Sequence, residues 1–191
     1  MNSGLERAVS AMGNFDAPWG IAGGWAVDLF IGHESRAHAD IDIAILRADQ
    51  KQLRSQLSGH VEKVVQHQLA AWSPSEVLEL PVHEIHVEWP DGYHVEFLLN
   101  EQDQETREWV FRRDARIRRP LAAAFVKGGV PYLAPEIVLL YKAKAASAKD
   151  DADFRAALFH LESDQRSWLR HALEMTAPGH HWASMLSQEV R

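Results

Sequence analysis

The run Asp40–Leu46, which reads DIDIAIL, restricts the fold of this chain more than any other segment. Polar and apolar residues alternate in it with the period of two that a β-strand imposes. Asp40 and Asp42 are therefore predicted to share one face of a strand, while the isoleucines beside them point into the core. Aspartate is a poor strand former, and two unpaired carboxylates on one face repel each other. A cation between the carboxylates removes this conflict, so the run predicts a strand that carries a metal site.

Magnesium is the ion that fits such a pair, because it takes one or two protein carboxylates and completes its shell with water and substrate phosphates. A third carboxylate on a neighbouring strand would allow a two-metal site. Glu96, between Val95 and Phe97 in the run HVEFL, has the flanks of an inward-facing strand residue. Glu88 in HVEWP has the same local pattern and is the competing candidate. We prefer Glu96 because its run EFLL is more typical of a central strand.

Two glycines precede this strand in the run GIAGGWAVD. The residues WGIA predict a short buried strand that stops at Gly23 and Gly24, and WAVDLFIG predicts a helix that ends near Gly32. Backbone N–H groups at such a strand-to-helix turn can hold phosphate oxygens. Gly-Gly alone is usually only a turn. Followed by an Asp-x-Asp pair on the next strand, it predicts a phosphate site beside a metal site.

The remaining elements predict an α+β fold, a mixed sheet flanked by helices with a C-terminal helical part. They are a helix over Leu5–Phe15, a hairpin around Pro90-Asp91-Gly92, a loop with one short strand over 101–120, a helix from Pro135 and mostly helix from Asp150 to Val190. The basic run RRDARIRR within 101–120 is interpreted as a solvated loop. We therefore expect a core over residues 1–132 and a helical part over residues 133–191 that packs on the core.

The composition excludes several classes of protein. Apolar residues make up 46% of the 191 residues and seven residues are Trp, which suits a packed core. The net charge of −7 argues against a nucleic-acid partner, which requires a basic surface. The absence of Cys excludes disulfides, thiolate zinc sites and cysteine nucleophiles. The first residues lack the apolar region of a signal peptide, and no stretch reaches the ~18 apolar residues of a membrane span, so we expect a cytoplasmic protein without membrane contact.

Eleven histidines raise the question of a second kind of metal site. Two pairs lie close together in the sequence, His83 with His86 and His180 with His181. Neither pair has a carboxylate or thiolate at the spacing typical of zinc ligands. We therefore predict no zinc site.

These motifs together resemble the nucleotidyltransferase superfamily of DNA polymerase beta and the antibiotic nucleotidyltransferases. The run GGWAVD followed by SRAHADIDI is most similar to aminoglycoside adenylyltransferases that act on the 2″ hydroxyl, and lincosamide nucleotidyltransferases are similar as well. This match spans Gly23 to about Ile45. The downstream run PEIVLLYKAKAASAKDDADF resembles a segment of abortive-infection nucleotidyltransferase toxins. The resemblance implies the polymerase beta-like palm fold.

The resemblance also implies roles for particular residues. Gly23 and Gly24 would hold the nucleoside triphosphate, and Asp40 and Asp42 would bind two magnesium ions. Glu96 would take the place of the third carboxylate, binding one ion and acting as general base; many relatives have Asp at this place. The cations expected to contact the triphosphate are Arg36, Lys142 and Lys144, with Lys149 as a further candidate.

The expected activity is magnesium-dependent transfer of a nucleoside monophosphate, with AMP as the first choice, from ATP or another NTP. The acceptor is a hydroxyl group of a small molecule, with an aminoglycoside-like antibiotic as the leading candidate, and pyrophosphate is released. The alternative is a regulatory or toxin–antitoxin protein of the same fold that acts on a macromolecule. The sequence leaves open the acceptor, the NTP, a homodimer, and a role in resistance, toxicity or housekeeping.

Overall fold

The sheet of this protein is built from ten strands within residues 3–57 and 60–187, the part of the chain that the computed structural model describes. The strands are β1 (Trp19–Ile21), β2 (Asp42–Leu46), β3 (His60–Val65), β4 (Gln68–Ala71), β5 (Glu84–Glu88), β6 (His94–Asp103), β7 (Glu108–Val110), β8 (Arg118–Pro120), β9 (Phe125–Val126) and β10 (Tyr132–Leu133). Their order is β4-β3-β5-β6-β2-β1-β10-β9, and β7 and β8 extend the far end of β6. β2 pairs with β6 and β1 with β10 in parallel, whereas the other pairs are antiparallel, so the sheet is mixed.

Eight α-helices lie in the same part of the chain and cover both faces of the sheet. They are α1 (Ser3–Ala11), α2 (Gly23–Ile31), α3 (Gln50–Gln56), α4 (Leu121–Ala124), α5 (Pro135–Lys142), α6 (Ala148–Leu158), α7 (Ser163–Thr176) and α8 (His181–Leu186). Side chains of α1 and α3 join the apolar cluster around Ile43, Ile45 and Phe97 on one face. Side chains of α5 to α8 join the cluster around Ala44 and Leu46 on the other face. The predicted α+β class is confirmed.

β2 lies in the middle of the sheet, between β1 and β6, and its isoleucines are fully buried as the alternating pattern predicts. The strand begins at Asp42, however, so the prediction that Asp40 belongs to it is wrong. The physical reason is the length of the neighbouring strands. β1 pairs only with Ile43, Ala44 and Ile45 before the chain turns into α2, and the pairing with β6 begins at Asp42. Neither β1 nor β6, as the structure describes them, continues the ladder as far as Asp40.

The turn from β1 into α2 follows the sequence prediction. β1 ends at Ile21, α2 begins at Gly23, and Gly32 ends the helix in the left-handed conformation with a φ of 84°. The N–H group of Gly32 donates a hydrogen bond to the carbonyl oxygen of Asp28, which satisfies one of the last helical acceptors. This short crossover places the N-terminus of α2 beside the first residue of β2.

The hairpin of β5 and β6 is also confirmed, but the segment over 101–120 holds more strand than predicted. β6 continues to Asp103, and β7 and β8 complete an antiparallel extension. Trp109 on β7 is fully buried, and its Nε1–H donates a hydrogen bond to Oδ1 of Asn100 at 2.9 Å. The buried indole explains why this charged segment forms strands, since its apolar residues anchor it to the core.

The chain after residue 133 is mainly helical, as predicted. Pro135 opens α5, and Ser147 and Asp150 form a capping box at the start of α6. Pro178 and Gly179 separate α7 from α8, and the part of the prediction that covers residues 188–190 lies outside the described residues. None of the helices in the described ranges combines the length and the hydropathy that a membrane crossing requires.

Candidate active site

Two carboxylates meet where β2 begins beside β6. Asp42 and Glu96 occupy opposite positions in this parallel pair, so their side chains leave the sheet on the same face. Each carboxyl group shifts the pKa of the other, so the two groups are close together. Asp42 also lines a cavity of about 260 Å³ together with Gly23 and Lys142. The carboxylate predicted to be third in the site therefore lies directly beside Asp42.

The electrostatics of this pair are unfavourable without a cation. Burial, with a further contribution from the negative charge of Glu96, raises the pKa of Asp42 to about 7. Burial also raises the pKa of Glu96, and the nearby negative charge of Glu84 adds to this rise. Two carboxyl groups in contact need either a proton or a metal ion between them. Because the donor atoms are all carboxylate oxygens, the residues fit a hard divalent ion such as Mg²⁺.

The other two acidic candidates lie in different places. Asp40 is exposed just before β2, and its negative charge, added to the effect of burial, raises the pKa of Asp42. Asp40 is therefore within electrostatic range of the pair. Glu88 is exposed at the end of β5, opposite His94, and β6 separates it from β2. The structure thus brings Asp40, Asp42 and Glu96 together and leaves Glu88 outside the group.

Gly23 and Gly24 form the first turn of α2, directly beside these carboxylates. Gly23 has a φ of +59°, and a Cβ there would overlap the carboxylate of Asp42. A Cβ on Gly24 would overlap the ring of His38 and the guanidinium group of Arg36. The N-terminus of α2 therefore packs against acidic, imidazole and guanidinium groups without a side chain between. Its first N–H groups and the positive end of its dipole suit a bound phosphate.

Arg36 and Lys142 are both held by Asp153, a carboxylate of α6 that is fully buried. Arg36 donates to it from Nε at 2.7 Å and from Nη2 at 2.8 Å, and Nζ of Lys142 lies 3.0 Å from its Oδ2. Hydrogen bonds from the two cations, acting against burial, lower the pKa of Asp153. Sequence patterns identify this residue only as part of a helix start, so its role in holding two distant cations was missed.

The three lysines considered from the sequence lie in three different environments. Lys142, at the end of α5, lines the cavity that contains Asp42. Lys144 is exposed and lines a separate cavity next to Met175. Lys149 is exposed in the first turn of α6. Among these lysines, the structure brings Lys142 to the carboxylates and places the other two elsewhere.

Arg112 and Arg113 add two cations that sequence reasoning did not place in the site. Both line the same cavity as Asp42, together with Tyr141. Both guanidinium groups lie close to the ring of Tyr141, at 5.4 and 5.3 Å from its centroid. The signal available was the basic run RRDARIRR, but its charge pattern is equally typical of a solvated loop.

The loop between α2 and β2 is tied to α2 by the buried carboxylate of Asp28. Oδ2 of Asp28 lies 2.5 Å from Nε2 of His38, and Oδ1 accepts hydrogen bonds from the backbone N–H and the hydroxyl of Ser35. These contacts hold the segment that carries Arg36 and Asp40 against α2. From the sequence, Asp28 is either a group that orients Arg36 or His38 or simply a polar residue of the helix, and the structure places its carboxylate against His38.

Asp42→Asn is expected to stabilise the metal-free protein at alkaline pH. Folding raises the pKa of Asp42 from 3.8 to about 7, so the folded state holds this proton more tightly than the unfolded state. The resulting destabilisation is absent below about pH 4, grows as the pH rises and is complete above about pH 7. A shift of about three pH units corresponds to ~4 kcal/mol. Urea unfolding in EDTA at pH 8 should show a higher free energy of unfolding for the variant than for the wild type.

The control for this experiment is Asp16→Asn, the same replacement at an exposed position. At pH 4 the wild type and Asp42→Asn should differ by less than ~1 kcal/mol. Saturating Mg²⁺ and ATP at pH 8 should stabilise the wild type more than the variant, because only the wild type retains both carboxylates. A loss of stability of Asp42→Asn in EDTA at pH 8 would contradict the assignment of a buried, unfavourable charge.

Comparisons with known proteins agree with these observations. A family model described as aminoglycoside-2″-adenylyltransferase matches residues 5–170. Among solved structures, the lincosamide antibiotic adenylyltransferase LnuA with lincomycin bound is similar with a TM-score of 0.59 at 14% identity, over 82% of this chain and 95% of that chain. No curated protein sequence matches the chain.

The antibiotic-resistance factor ANT(2″)-Ia is similar in two structures. Its solution structure has a TM-score of 0.57 at 19% identity, over 91% of this chain and 90% of that chain. Its crystal structure in complex with adenylyl-2″-tobramycin has a TM-score of 0.56 at 18% identity, over 91% of this chain and 97% of that chain. At these identities the solved structures support the fold alone, and the predicted nucleotidyltransferase fold is confirmed.

Proposed function

This chain belongs to the aminoglycoside-2″-adenylyltransferase family and is a nucleotidyltransferase, and we propose that it transfers AMP from ATP to a hydroxyl group of an aminoglycoside antibiotic in the presence of Mg²⁺. The observation that carries the proposal is the group of Asp40, Asp42 and Glu96 beside the N-terminus of α2. Carboxylates next to a helix N-terminus allow a cation and a phosphate to bind side by side. This is the arrangement that a magnesium–nucleotide complex requires.

In this proposal, the triphosphate binds between the core and the helical part of the chain. Gly23 and Gly24 bind phosphate oxygens through the N–H groups at the start of α2, within the core over residues 1–132. Lys142, from the helical part over residues 133–191, offsets the negative charge of the phosphates and is kept in place by Asp153. The location of Arg112 and Arg113 on the same cavity supports a further contribution of these guanidinium groups.

The chemical step joins the acceptor oxygen to the α-phosphorus of ATP. Two ions held by Asp40, Asp42 and Glu96 would align the hydroxyl with the α-phosphorus and stabilise the charge that develops there. Glu96, which lies opposite Asp42, takes the proton of the acceptor hydroxyl as the acceptor oxygen bonds to the phosphorus. The bond from the α-phosphorus to the bridging oxygen breaks, and pyrophosphate leaves with the electron pair. Lys142 stabilises the negative charge of the leaving group.

The choice of an aminoglycoside as acceptor rests on the family and on charge. Aminoglycosides are polycations, and the chain has a net charge of −7. Glu84 lines the cavity next to Asp42, and Asp40 lines a second cavity of about 310 Å³ with Trp25 and Tyr93. Acidic groups beside aromatic side chains suit an amino sugar, which presents ammonium groups and apolar ring faces.

The experiment that tests the function is a transfer assay with the purified full chain. The protein is incubated with Mg²⁺, tobramycin or lincomycin, and ATP, GTP, CTP or UTP in separate reactions, and the acceptor is analysed by mass spectrometry. Adenylylated tobramycin that forms with Mg²⁺ and not with EDTA is the expected result. Transfer to lincomycin alone would replace the acceptor class, and no nucleotide on either acceptor would overturn the proposal.

Lys142→Met is expected to weaken ATP binding, because it removes a cation that lines the same cavity as Asp42. The loss of one charged hydrogen bond to a phosphate should raise the KM for ATP by about 10–100-fold. Lys144→Met is the matched control, since it removes the neighbouring lysine that lines a different cavity, and its KM should stay within about twofold of the wild type. Steady-state kinetics at saturating acceptor measure both values, with circular dichroism as a check of folding. A larger effect of Lys144→Met would contradict this assignment.

A further inference from the structure

The hairpin of β5 and β6 brings together three side chains of the kind that bind transition metals. His86 lies opposite Glu96 in the antiparallel pair, and His94 precedes Glu96 by two residues on the same face of β6. One nitrogen of each histidine and one oxygen of Glu96 lie within 4.8 Å of one another. A tetrahedral zinc ion with ligand bonds of ~2.0–2.1 Å holds neighbouring ligand atoms about 3.3 Å apart. Small side-chain rotations are therefore enough to close the three groups around an ion.

The orientation of His86 favours such an ion. With Nε2–H donating to Oε1 of Glu84 at 2.6 Å, His86 turns the lone pair of its Nδ1 towards His94. Nε2 of His94 lies 3.1 Å from this Nδ1. Metal-binding histidines commonly donate their second N–H group to a carboxylate, which fixes both the ring and its tautomer. Glu84 supplies this carboxylate.

The chemistry of the ligand set selects the ion. Two imidazole nitrogens and one carboxylate oxygen suit zinc and similar divalent transition ions, whereas magnesium takes oxygen ligands. The group is also open to solvent. The side chains of His86 and Glu96 are 21% and 23% exposed, and His94 lines the cavity of about 310 Å³ that contains Asp40. An ion can therefore reach the three side chains directly.

We propose that His86, His94 and Glu96 form a binding site for a zinc-type divalent ion, and that occupation of this site inhibits nucleotidyl transfer. The inhibitory part rests on the proposed function, because Glu96 is shared. A carboxylate that binds an ion between the two histidines no longer faces Asp42 as a free base and ligand. The site thus makes the enzyme sensitive to zinc through the strand that carries its third carboxylate.

The binding part is tested without any transfer reaction. The EDTA-dialysed full chain is titrated with Co²⁺ and followed by visible absorption, and Zn²⁺ is measured by calorimetry and by displacement of Co²⁺. One equivalent is expected to bind to the wild type, and His94→Ala is expected to weaken the affinity about 100-fold. His86→Ala should do the same. His171→Ala, at an exposed position on α7, is the matched control and should bind like the wild type.

The inhibitory part is tested by adding Zn²⁺ to the transfer assay at saturating Mg²⁺. Each protein is compared with its own rate without Zn²⁺, because His94 lines the cavity proposed for the acceptor and its replacement can change the basal rate. Wild type and His171→Ala should lose at least about tenfold in rate at a Zn²⁺ concentration that fills the site, whereas the rate of His94→Ala should change by less than about twofold. Equal binding by wild type and both histidine variants, or no binding, overturns the site. Binding without inhibition overturns the regulatory role alone. An enzyme that transfers nothing but binds one equivalent of Zn²⁺ through His94 leaves the site standing and refutes only the proposed function.

Discussion

Asp42→Asn is expected to lower kcat for nucleotidyl transfer by about 10³-fold, with the fold intact. Asn has the shape of Asp but carries no charge, so the pair at the start of β2 would keep one carboxylate, Glu96, where it now has two. The buried oxygen would no longer bind a cation beside the α-phosphate. Rates are measured with saturating ATP, acceptor and Mg²⁺, since a weaker affinity for the ion alone would otherwise mimic the effect.

The fold of this variant is checked by circular dichroism and by its unfolding in EDTA, where greater stability than the wild type is expected at pH 8. Asp16→Asn, which replaces an exposed aspartate, should keep wild-type kcat. Lost activity together with gained stability would show that Asp42 serves the reaction, because removal of a carboxylate that supports the fold would lower the stability instead. Turnover at the wild-type rate by Asp42→Asn would exclude Asp42 from the reaction.

Gly23→Ala should reduce kcat/KM for ATP by at least about 100-fold. Its φ of +59° is unfavourable for alanine, and the added methyl group would occupy the space of the Asp42 carboxylate. Either Asp42 or the first turn of α2 must move, and each movement separates the carboxylate from the N–H groups that are proposed to bind the phosphates. Steady-state kinetics with varied ATP measure this loss.

Gly32→Ala is the control that separates the effect of the overlap with Asp42 from the effect of backbone strain. Gly32 has a φ of 84°, also in the left-handed region, but a Cβ there meets nothing within 4 Å. Both variants should lose ~1–2 kcal/mol of stability from the strained backbone, whereas only Gly23→Ala should lose activity. Similar kinetics for the two variants would show that the close approach of Gly23 to Asp42 is unimportant.

The strand that begins at Asp42 and the turn at Gly23 and Gly24 could be predicted because their sequence signals are local. The alternation in DIDIAIL marks a strand with a buried face, and the Gly-Gly pair marks the end of one strand and the start of a helix. Both features depend on backbone geometry over a few residues, so the chain carries them without reference to its neighbours. The prediction failed at Asp40, where the strand boundary depends on how far β1 and β6 extend.

The positions of the cationic side chains could not be predicted from local sequence patterns. Lys142 and Lys144 are two residues apart and have the same charge, yet only Lys142 lies in the cavity of Asp42. The difference arises because α5 packs on the sheet in one orientation and is followed by a short 3₁₀ turn, Ala143–Ala145. Asp153 then selects Lys142 and Arg36 as its partners from segments far apart in the chain. Ion pairs between segments far apart in the chain produce no periodicity or characteristic spacing in the sequence from which they could be predicted.

The two groups that are proposed to bind metal ions show most clearly which features the sequence determines locally and which features require the folded chain. The Asp-x-Asp motif and the Gly-Gly turn indicated a phosphate-transfer chemistry, and the order of the predicted strands and helices indicated the α+β class. These signals follow from local backbone preferences and from the charge of carboxylates. The proposed zinc-type site of His86, His94 and Glu96 departs from the prediction of no zinc site, and the sequence left Glu88 as a competitor of the preferred Glu96. Both depend on the register of β6 against β2 and β5, which places Glu96 opposite Asp42 on one side and His86 on the other. Register is set by the packing of whole strands into one core, so it exists only in the folded chain.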